Sequence, residues 1–372
     1  MRSFECECGH VLFFENSVCV QCGRAVGYDP ESQAMRTCGE EHGFLRCSNG
    51  VKYQVCNWLV PHSEEASGHD RLCTSCVLTT TIPDPGDPKK VALWGKVMLA
   101  KRRLVSTLWA LGIDLPTKAD DEQNGIAFEI VSSRSDPEMI MGHADGVITI
   151  DLDEADDVKR MENRQRFGEA SRTLLGHFRH ESGHYIWDRW LRALPEDHPH
   201  RLAFRERFGD EREDYGEALK RHYSEGPPSN WDERHISSYA TSHAWEDWAE
   251  SWNYYLQMVE GLETLTTIGF HPSKSTVPMN PFPPEVGCLP EGLKGSSRHD
   301  RAFMKSLNDW AAAATALNMV AKSVGEPLLS PYVLSIDVVG KLRMIHWLVH
   351  ESEVFSGGAD KESVISRFFS GW

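Results

Sequence analysis

The chain has 372 residues and a formal net charge of −16, and 40% of its residues are hydrophobic. These values predict a globular protein, and the sequence contains no apolar run long enough to cross a membrane. The acidic balance argues against a nucleic-acid partner, because phosphate binding requires a basic face. Even residues 1–80 hold only six basic residues against ten acidic ones.

Nine of the ten cysteines fall within residues 6–76. The first four form a Cys-x-Cys pair and a Cys-x-x-Cys pair, each followed by glycine: Cys6, Cys8, Cys19 and Cys22. Two such knuckles can close a tetrahedral four-cysteine zinc site, which predicts a zinc ribbon over residues 1–30. Disulfides are the alternative, but the sequence does not open with a secretion signal, so we expect a cytoplasmic protein with reduced thiols.

A second four-cysteine zinc module is predicted over residues 31–82. Its expected ligands are four further cysteines, namely Cys47, Cys56, Cys73 and Cys76. The short spacing of the last two is the stronger half of this pattern. Cys38 is a fifth thiol that could displace Cys47, and His42, His62 and His69 are spare ligands or simply solvated. Because so small and polar a segment lacks its own core, zinc would supply its folding energy.

The proline-rich stretch 79–88 predicts a linker before a third domain over residues 83–372. Apolar residues then recur at helical spacing from Trp94 to Leu111, with Lys101 among them, and predict a helix that ends near Gly112. Residues 126–131 and 147–152 have the pattern of two strands, and the second is entered through an Asp-Gly turn.

A helix is predicted over residues 169–194, which lack proline and carry apolar residues at helical spacing. It contains the sequence His180-Glu181-Ser182-Gly183-His184. Histidines at i and i+4 project from one face and can bind one zinc ion, with Glu181 beside the open coordination position. Gly183 weakens a helix, which indicates close packing of another element. A surface helix with two chance histidines is the alternative.

A catalytic zinc ion takes three protein ligands and leaves a fourth position to water, so a third ligand must come from elsewhere. The best candidate lies on a helix that we expect to begin after the N-cap residue Ser242. Glu246 and Glu250 share one face of this helix; we expect Glu246 to bind zinc and Glu250 to hydrogen-bond a ligating histidine. The alternative is that acids in the first turns only complement the helix dipole.

Three neighbouring side chains have more than one candidate role. Tyr239 precedes Glu246 by seven residues, so its hydroxyl could return to the metal and donate to an oxyanion, although an ordinary core or surface tyrosine fits the same spacing. His243 is a competing oxyanion donor or ligand. His177, one turn before His180, is expected to pack against the site or hydrogen-bond it rather than bind metal.

The rest of the chain predicts mainly helices. One is expected from Phe208 to Tyr223, ended by the glycine and prolines at 226–228. Residues 269–295 are rich in proline and glycine and predict a long loop, and helices follow around 300–324 and 337–350. With the two strands, these elements predict an α+β fold that is mainly helical and has a small sheet.

These motifs resemble the bacterial zinc-ribbon, putative zinc-binding metallopeptidase family over almost the whole chain. The resemblance lies in the opening cysteine pairs and in residues 56–61, 176–184, 239–241 and 245–250. It implies a zincin-like domain with hydrolytic chemistry, and it favours leaving Cys38 out of the second zinc site. Ser182 departs from the small apolar residue expected there.

The helix with Glu246 and Glu250 and its upstream tyrosine is also similar to the catalytic half of lethal-factor-type metalloproteases. That resemblance implies His180, His184 and Glu246 as zinc ligands, with Tyr239 facing the substrate. In a zincin, a strand at the sheet edge beside the cleft can pair with an extended peptide. Residues 142–152 are therefore the expected substrate-binding segment, and an ordinary strand without a ligand is the alternative.

Together these inferences predict a zinc-dependent peptidase with one catalytic and two structural zinc ions and a peptide or protein substrate. Glu181 is expected to take a proton from a zinc-activated water and pass it to the leaving amine, while Tyr239 helps to stabilise the oxyanion. Two alternatives stay open: a catalytically inactive zinc-binding scaffold for protein interactions, and a ribbon-guided protease acting on nucleic-acid-bound proteins.

Overall fold

The structure is a computed structural model that describes residues 2–62, 71–136, 138–139, 141–167, 173–274, 276–277, 280–290, 293, 297–330 and 332–350. The chain divides into two compact units, one of residues 1–109 with 115–178 and one of residues 110–114 with 179–372. Helices dominate and the sheets are small, which confirms the predicted α+β fold class.

The first unit opens with three antiparallel strand pairs. β1 (Ser3–Glu5) pairs with β2 (Val11–Phe13), β3 (Val26–Asp29) with β4 (Ala34–Thr37), and β5 (Phe44–Arg46) with β6 (Leu59–Pro61). Helix α1 (Ser48–Tyr53) lies between β5 and β6 in the sequence. A two-stranded sheet is only marginally stable by itself. A small aromatic cluster supports these pairs, in which Tyr28 packs on Phe14 and Trp58 at ring distances of 4.7 and 5.2 Å.

The same unit contains a four-stranded sheet with the order β7-β8-β10-β9. Its strands are β7 (Thr79–Thr81), β8 (Ala127–Val131), β9 (Gly142–Ala144) and β10 (Val147–Asp151). Helix α2 (Pro88–Ala110), which confirms the first predicted helix, buries Trp94, Val97, Leu104 and Leu108. Helix α3 (Asp157–Phe167) follows the sheet.

The two predicted strands are confirmed as β8 and β10, but the predicted position of the second at the sheet edge is wrong. β10 lies between β8, to which it is parallel, and β9, to which it is antiparallel. The Asp145-Gly146 turn, with φ of 47° and 79°, folds residues 142–144 back as the edge strand. Positive φ at both positions is the geometry of a tight hairpin turn.

The second unit is helical in the part that the structure describes. Helix α4 (Leu174–Trp187) enters it from the first unit and continues in a π-helical turn over Asp188–Arg192. The others are α5 (Pro199–Phe208), α6 (Tyr215–Glu225), α7 (Ala244–Thr267), α8 (Ser297–Ser323) and α9 (Ile336–His350). Helix α7 contacts α5, α8 and α9 and is buried along most of its length, so it is the core of this unit. No helix among the described residues is both long and apolar enough to span a membrane.

The predicted helices near 300–324 and 337–350 are confirmed by α8 and α9, but the one predicted from Phe208 to Tyr223 begins later. Phe208 instead ends α5, because Gly209 adopts a φ of 105°, and Asp214 caps the start of α6 by accepting from the Glu217 N–H at 2.8 Å. The first residues of the helix predicted over 169–194, residues 169–172, lie outside the described residues.

Candidate metal centres

The first four cysteines lie together. The Sγ atoms of Cys6 and Cys22 are 3.8 Å apart and those of Cys8 and Cys19 are 3.7 Å apart. Four sulfurs about 2.3 Å from a tetrahedral zinc ion are about 3.8 Å from one another, whereas a disulfide requires about 2.05 Å. This set fits a zinc ion.

The second cysteine set is fully buried. It consists of Cys47, Cys56, Cys73 and Cys76. The Sγ atoms of Cys56 and Cys73 are 3.7 Å apart, and Cys47 Sγ accepts from the backbone N–H of Cys73 at 3.3 Å. The structure therefore places Cys47 in this set, whereas Cys38, His42 and His62 are not part of it. His69, the remaining spare ligand of the sequence analysis, lies outside the described residues.

A buried lysine accompanies the second cysteine set. Lys101 on α2 is completely buried, and its Nζ donates to the carbonyl oxygen of Ser75 at 2.6 Å and to the hydroxyl of Thr79. Burial lowers the pKa of Lys101, while the nearby charges of Cys76 and Cys73 oppose that shift. The sequence offered one signal for this residue, since a lysine stands on the apolar stripe of the predicted helix.

The third candidate centre joins α4 and α7. His180 Nε2 is 3.0 Å from Glu246 Oε2, and His184 Nε2 is 3.4 Å from Glu246 Oε1. Nitrogen and oxygen ligands about 2.0–2.1 Å from a tetrahedral zinc ion are about 3.3 Å apart, so these three side chains fit such an ion. Among the described residues no further cysteine, histidine or acid completes the set, in contrast to the cysteine clusters.

Glu250, one turn after Glu246, orients the first histidine. Its Oε1 lies 2.9 Å from His180 Nδ1, and its Oε2 accepts from Ser237 Oγ at 2.7 Å. A proton on Nδ1 leaves the lone pair of Nε2 free for a metal. Burial lowers the pKa of His180, but the hydrogen bonds to Glu246 and Glu250 outweigh it and raise that pKa well above its usual value. The carboxylates of Glu246 and Glu250 therefore favour a positive charge at this centre.

Close packing of α4 on α7 brings the ligands together. A Cβ atom at Gly183 would lie 2.9 Å from Ala249 Cα, so any other residue would push the helices apart. Trp248 Nε1 donates to the Gly183 carbonyl oxygen at 2.9 Å, and Trp252 Nε1 donates to Ser182 Oγ at 3.0 Å. The close approach expected from Gly183 is confirmed, and Ser182 is explained by its tryptophan partner.

Glu181 and Tyr239 belong to the same neighbourhood. Burial raises the pKa of the Glu181 carboxyl, while the charges of His180 and His184 oppose that shift. Glu181 is therefore close enough to the centre to interact with both histidines electrostatically. The Tyr239 ring lies in a short 3-10 turn, with its centroid 6.1 Å from that of His180. His177 stands one turn before His180 and is not among the three ligands.

His243, not Ser242, is the N-cap of α7. Its Nδ1 accepts from the backbone N–H of Trp245 at 3.1 Å, and its Nε2 donates to the carbonyl oxygen of Glu213 at 3.1 Å. The prediction of Ser242 as cap is therefore wrong, because a second contact on the other ring nitrogen favours histidine here. With both nitrogens engaged, His243 is not placed as a metal ligand.

Tyr215, the first residue of α6, is a residue that the sequence analysis missed. Its hydroxyl donates to Glu246 Oε1 at 2.7 Å. Its ring stands edge-on to those of His243 and Trp245, at 5.4 and 5.7 Å. Tyr215 belongs to no short motif and precedes Glu246 by 31 residues, so no local pattern pointed to it.

Comparison with known sequences agrees with this geometry. The chain belongs to the family described as "putative zinc-binding metallo-peptidase", whose model matches residues 90–348, and a zinc-ribbon domain matches residues 3–87. Uncharacterized proteins of Mycobacterium bovis and Mycobacterium tuberculosis are 39% identical to it over 352 residues, which cover 94% of this chain and 96% of theirs. No solved structure matches the chain significantly. The resemblance to the zinc-ribbon, putative zinc-binding metallopeptidase family is therefore confirmed.

Proposed function

We propose that the chain is a zinc-dependent peptidase that hydrolyses peptide bonds in a peptide or protein substrate, with Glu181 as general base. The observation that carries this proposal is the convergence of His180, His184 and Glu246, whose ligand atoms lie within 4.8 Å of one another. Three protein ligands leave one position for water, which is the arrangement of catalytic rather than structural zinc.

A zinc ion in such a centre supplies Lewis acidity, which lowers the pKa of water toward about 7 and polarises a carbonyl group. His180 and His184 hold their ring nitrogens toward the centre, and Glu250 fixes the tautomer of His180. Glu181 takes the proton of the attacking water and later gives it to the leaving amine.

Tyr239 is the proposed donor to the oxyanion of the tetrahedral intermediate. The centroid of its ring lies 6.1 Å from that of the proposed ligand His180 and 5.9 Å from that of His222. A hydroxyl that stays protonated can donate, and burial holds the pKa of Tyr239 well above its usual value.

The two cysteine sets are proposed to hold structural zinc, giving three ions in all. Each offers four sulfur ligands, which fill a tetrahedral ion and leave no position for water or substrate. Their metal would therefore stabilise the small strand pairs around them rather than take part in hydrolysis.

The test is the variant Glu181→Gln, with Glu217→Gln on the exposed face of α6 as the matched control. We expect Glu181→Gln to retain zinc and to cleave a mixed peptide library at least about 100-fold more slowly, because it lacks the base. The control should retain both properties. Undiminished cleavage by Glu181→Gln, or no zinc-dependent cleavage by the native chain, would contradict the proposal.

A further inference from the structure

The two carboxylate oxygens of Glu246 have different surroundings. Oε2 lies 3.0 Å from His180 Nε2. Oε1 lies 3.4 Å from His184 Nε2 and also accepts a hydrogen bond from the Tyr215 hydroxyl at 2.7 Å. A carboxylate can bind a metal through one oxygen or through both. The number of Glu246 oxygens that reach the ion therefore depends on what occupies Oε1.

The Tyr215 ring contacts two side chains at the start of the helix that carries Glu246. The rings of His243 and Trp245 stand edge-on to it, at centroid distances of 5.4 and 5.7 Å. His243 is itself tied to the residue before the α6 cap by its bond to the Glu213 carbonyl oxygen. The start of α6 and the start of α7 are thus joined around Glu246.

His222 lies two turns after Tyr215 on the same face of α6, and it contacts two residues of the 3-10 turn near the centre. His222 Nδ1 lies 3.2 Å from Thr241 Oγ1, and the His222 ring lies 5.9 Å from that of Tyr239. The two tyrosines therefore occupy different positions, Tyr215 on the ligand carboxylate and Tyr239 beside His180 and His222. Their roles should differ accordingly.

We propose that Tyr215 is a positioning residue of the zinc centre, which holds Oε1 of Glu246 so that the carboxylate binds the ion through Oε2 alone. A carboxylate oxygen that accepts a strong hydrogen bond is a weaker metal ligand, because its electron density is shared with the donor. Without the phenol, Oε1 is free to turn to the ion and bind it as a fifth ligand beside the water. This inference rests on the zinc-binding part of the proposed function and not on peptide cleavage.

The experiment compares Tyr215→Phe with Tyr223→Phe, which removes a hydroxyl from an exposed position of the same helix. Cobalt replaces the ion in the His–Glu centre while zinc stays in both cysteine sites, and the visible absorption of cobalt is recorded. Four-coordinate cobalt absorbs several times more strongly than five-coordinate cobalt, so the spectrum reports the coordination number.

We expect Tyr215→Phe to lose most of this absorption intensity, whereas Tyr223→Phe keeps the native spectrum. A native cobalt spectrum in Tyr215→Phe would overturn the inference. If the spectrum changes as expected while Glu181→Gln still cleaves peptides, the peptidase mechanism fails and the role of Tyr215 stands.

Discussion

The second cysteine cluster and the His–Glu centre are two metal sites built in opposite ways. Cys47, Cys56, Cys73 and Cys76 are all buried and supply four ligands, so the cluster is closed. The centre on α4 and α7 has three candidate ligands among the described residues, and the proposed function leaves its fourth position to water. The supporting charges also differ, since the buried cation of Lys101 accompanies the cluster and the anion of Glu250 accompanies the centre.

The sign of each supporting charge follows from the ligands. Four thiolates around Zn²⁺ leave two negative charges, which a buried ammonium group partly offsets. Two neutral imidazoles and one carboxylate leave one positive charge, which a second carboxylate balances. Under the proposed function, the cysteine cluster stabilises the fold and the His–Glu centre takes part in catalysis. Each supporting residue can be tested against that division.

Removal of zinc should produce the largest difference between the two kinds of site. After complete chelation we expect residues 1 to about 80 to unfold, because zinc binding by such modules supplies on the order of 10 kcal/mol. Limited proteolysis followed by mass spectrometry measures this directly. A weak chelator that empties only the His–Glu centre should abolish cleavage and leave the segment resistant. Unchanged protease resistance of residues 1–80 after complete metal loss would contradict the account.

Replacement of Lys101, the buried lysine beside the second cysteine cluster, has the next largest expected effect. Lys101→Met should lower the free energy of unfolding of the zinc-loaded protein by about 3–5 kcal/mol, because a buried charge loses its partner. Lys96→Met on the same helix is the control, since Lys96 forms an exposed ion pair with Asp157 and should cost less than about 1 kcal/mol. Denaturant unfolding measures both, and equal small losses would show that Lys101 does not balance the cluster.

The corresponding change at the open site is Glu250→Gln, with a smaller expected effect. The amide still accepts from His180 Nδ1 but carries no charge, so zinc affinity of the His–Glu centre should fall about 10- to 100-fold. That change corresponds to about 1.4–2.8 kcal/mol. Competition with a chelating dye measures it, and Glu263→Gln further along α7 is the control. If both variants hold zinc equally well, Glu250 does not support the site.

Pairs of site residues that lie one turn apart on the same helix could be predicted from the sequence. His180 with His184, and Glu246 with Glu250, are i and i+4 pairs, so helical spacing alone places each pair on one face. Gly183 also indicated that another helix comes close. The cysteine knuckles are similarly local, because the short spacing of their ligands fixes the turn.

What could not be predicted depends on contacts between distant residues. Tyr215 reaches Glu246 across 31 positions of sequence, and only the packing of α6 on the start of α7 reveals it. Ser242 has the better local preference for an N-cap, yet His243 takes that place through its additional bond to Glu213. The order of strands in the sheet is likewise a matter of long-range pairing, which strand patterns do not encode.

The central claim is that His180, His184 and Glu246 hold a zinc ion with one position left for water. The most direct measurement is anomalous scattering from crystals of the zinc-loaded protein, which gives the number and positions of the ions. We predict three zinc ions, two bound by cysteine alone and one bound by these three side chains with water as the fourth ligand. An empty His–Glu centre in the presence of ample zinc, or a fourth protein ligand on its ion, would contradict the claim.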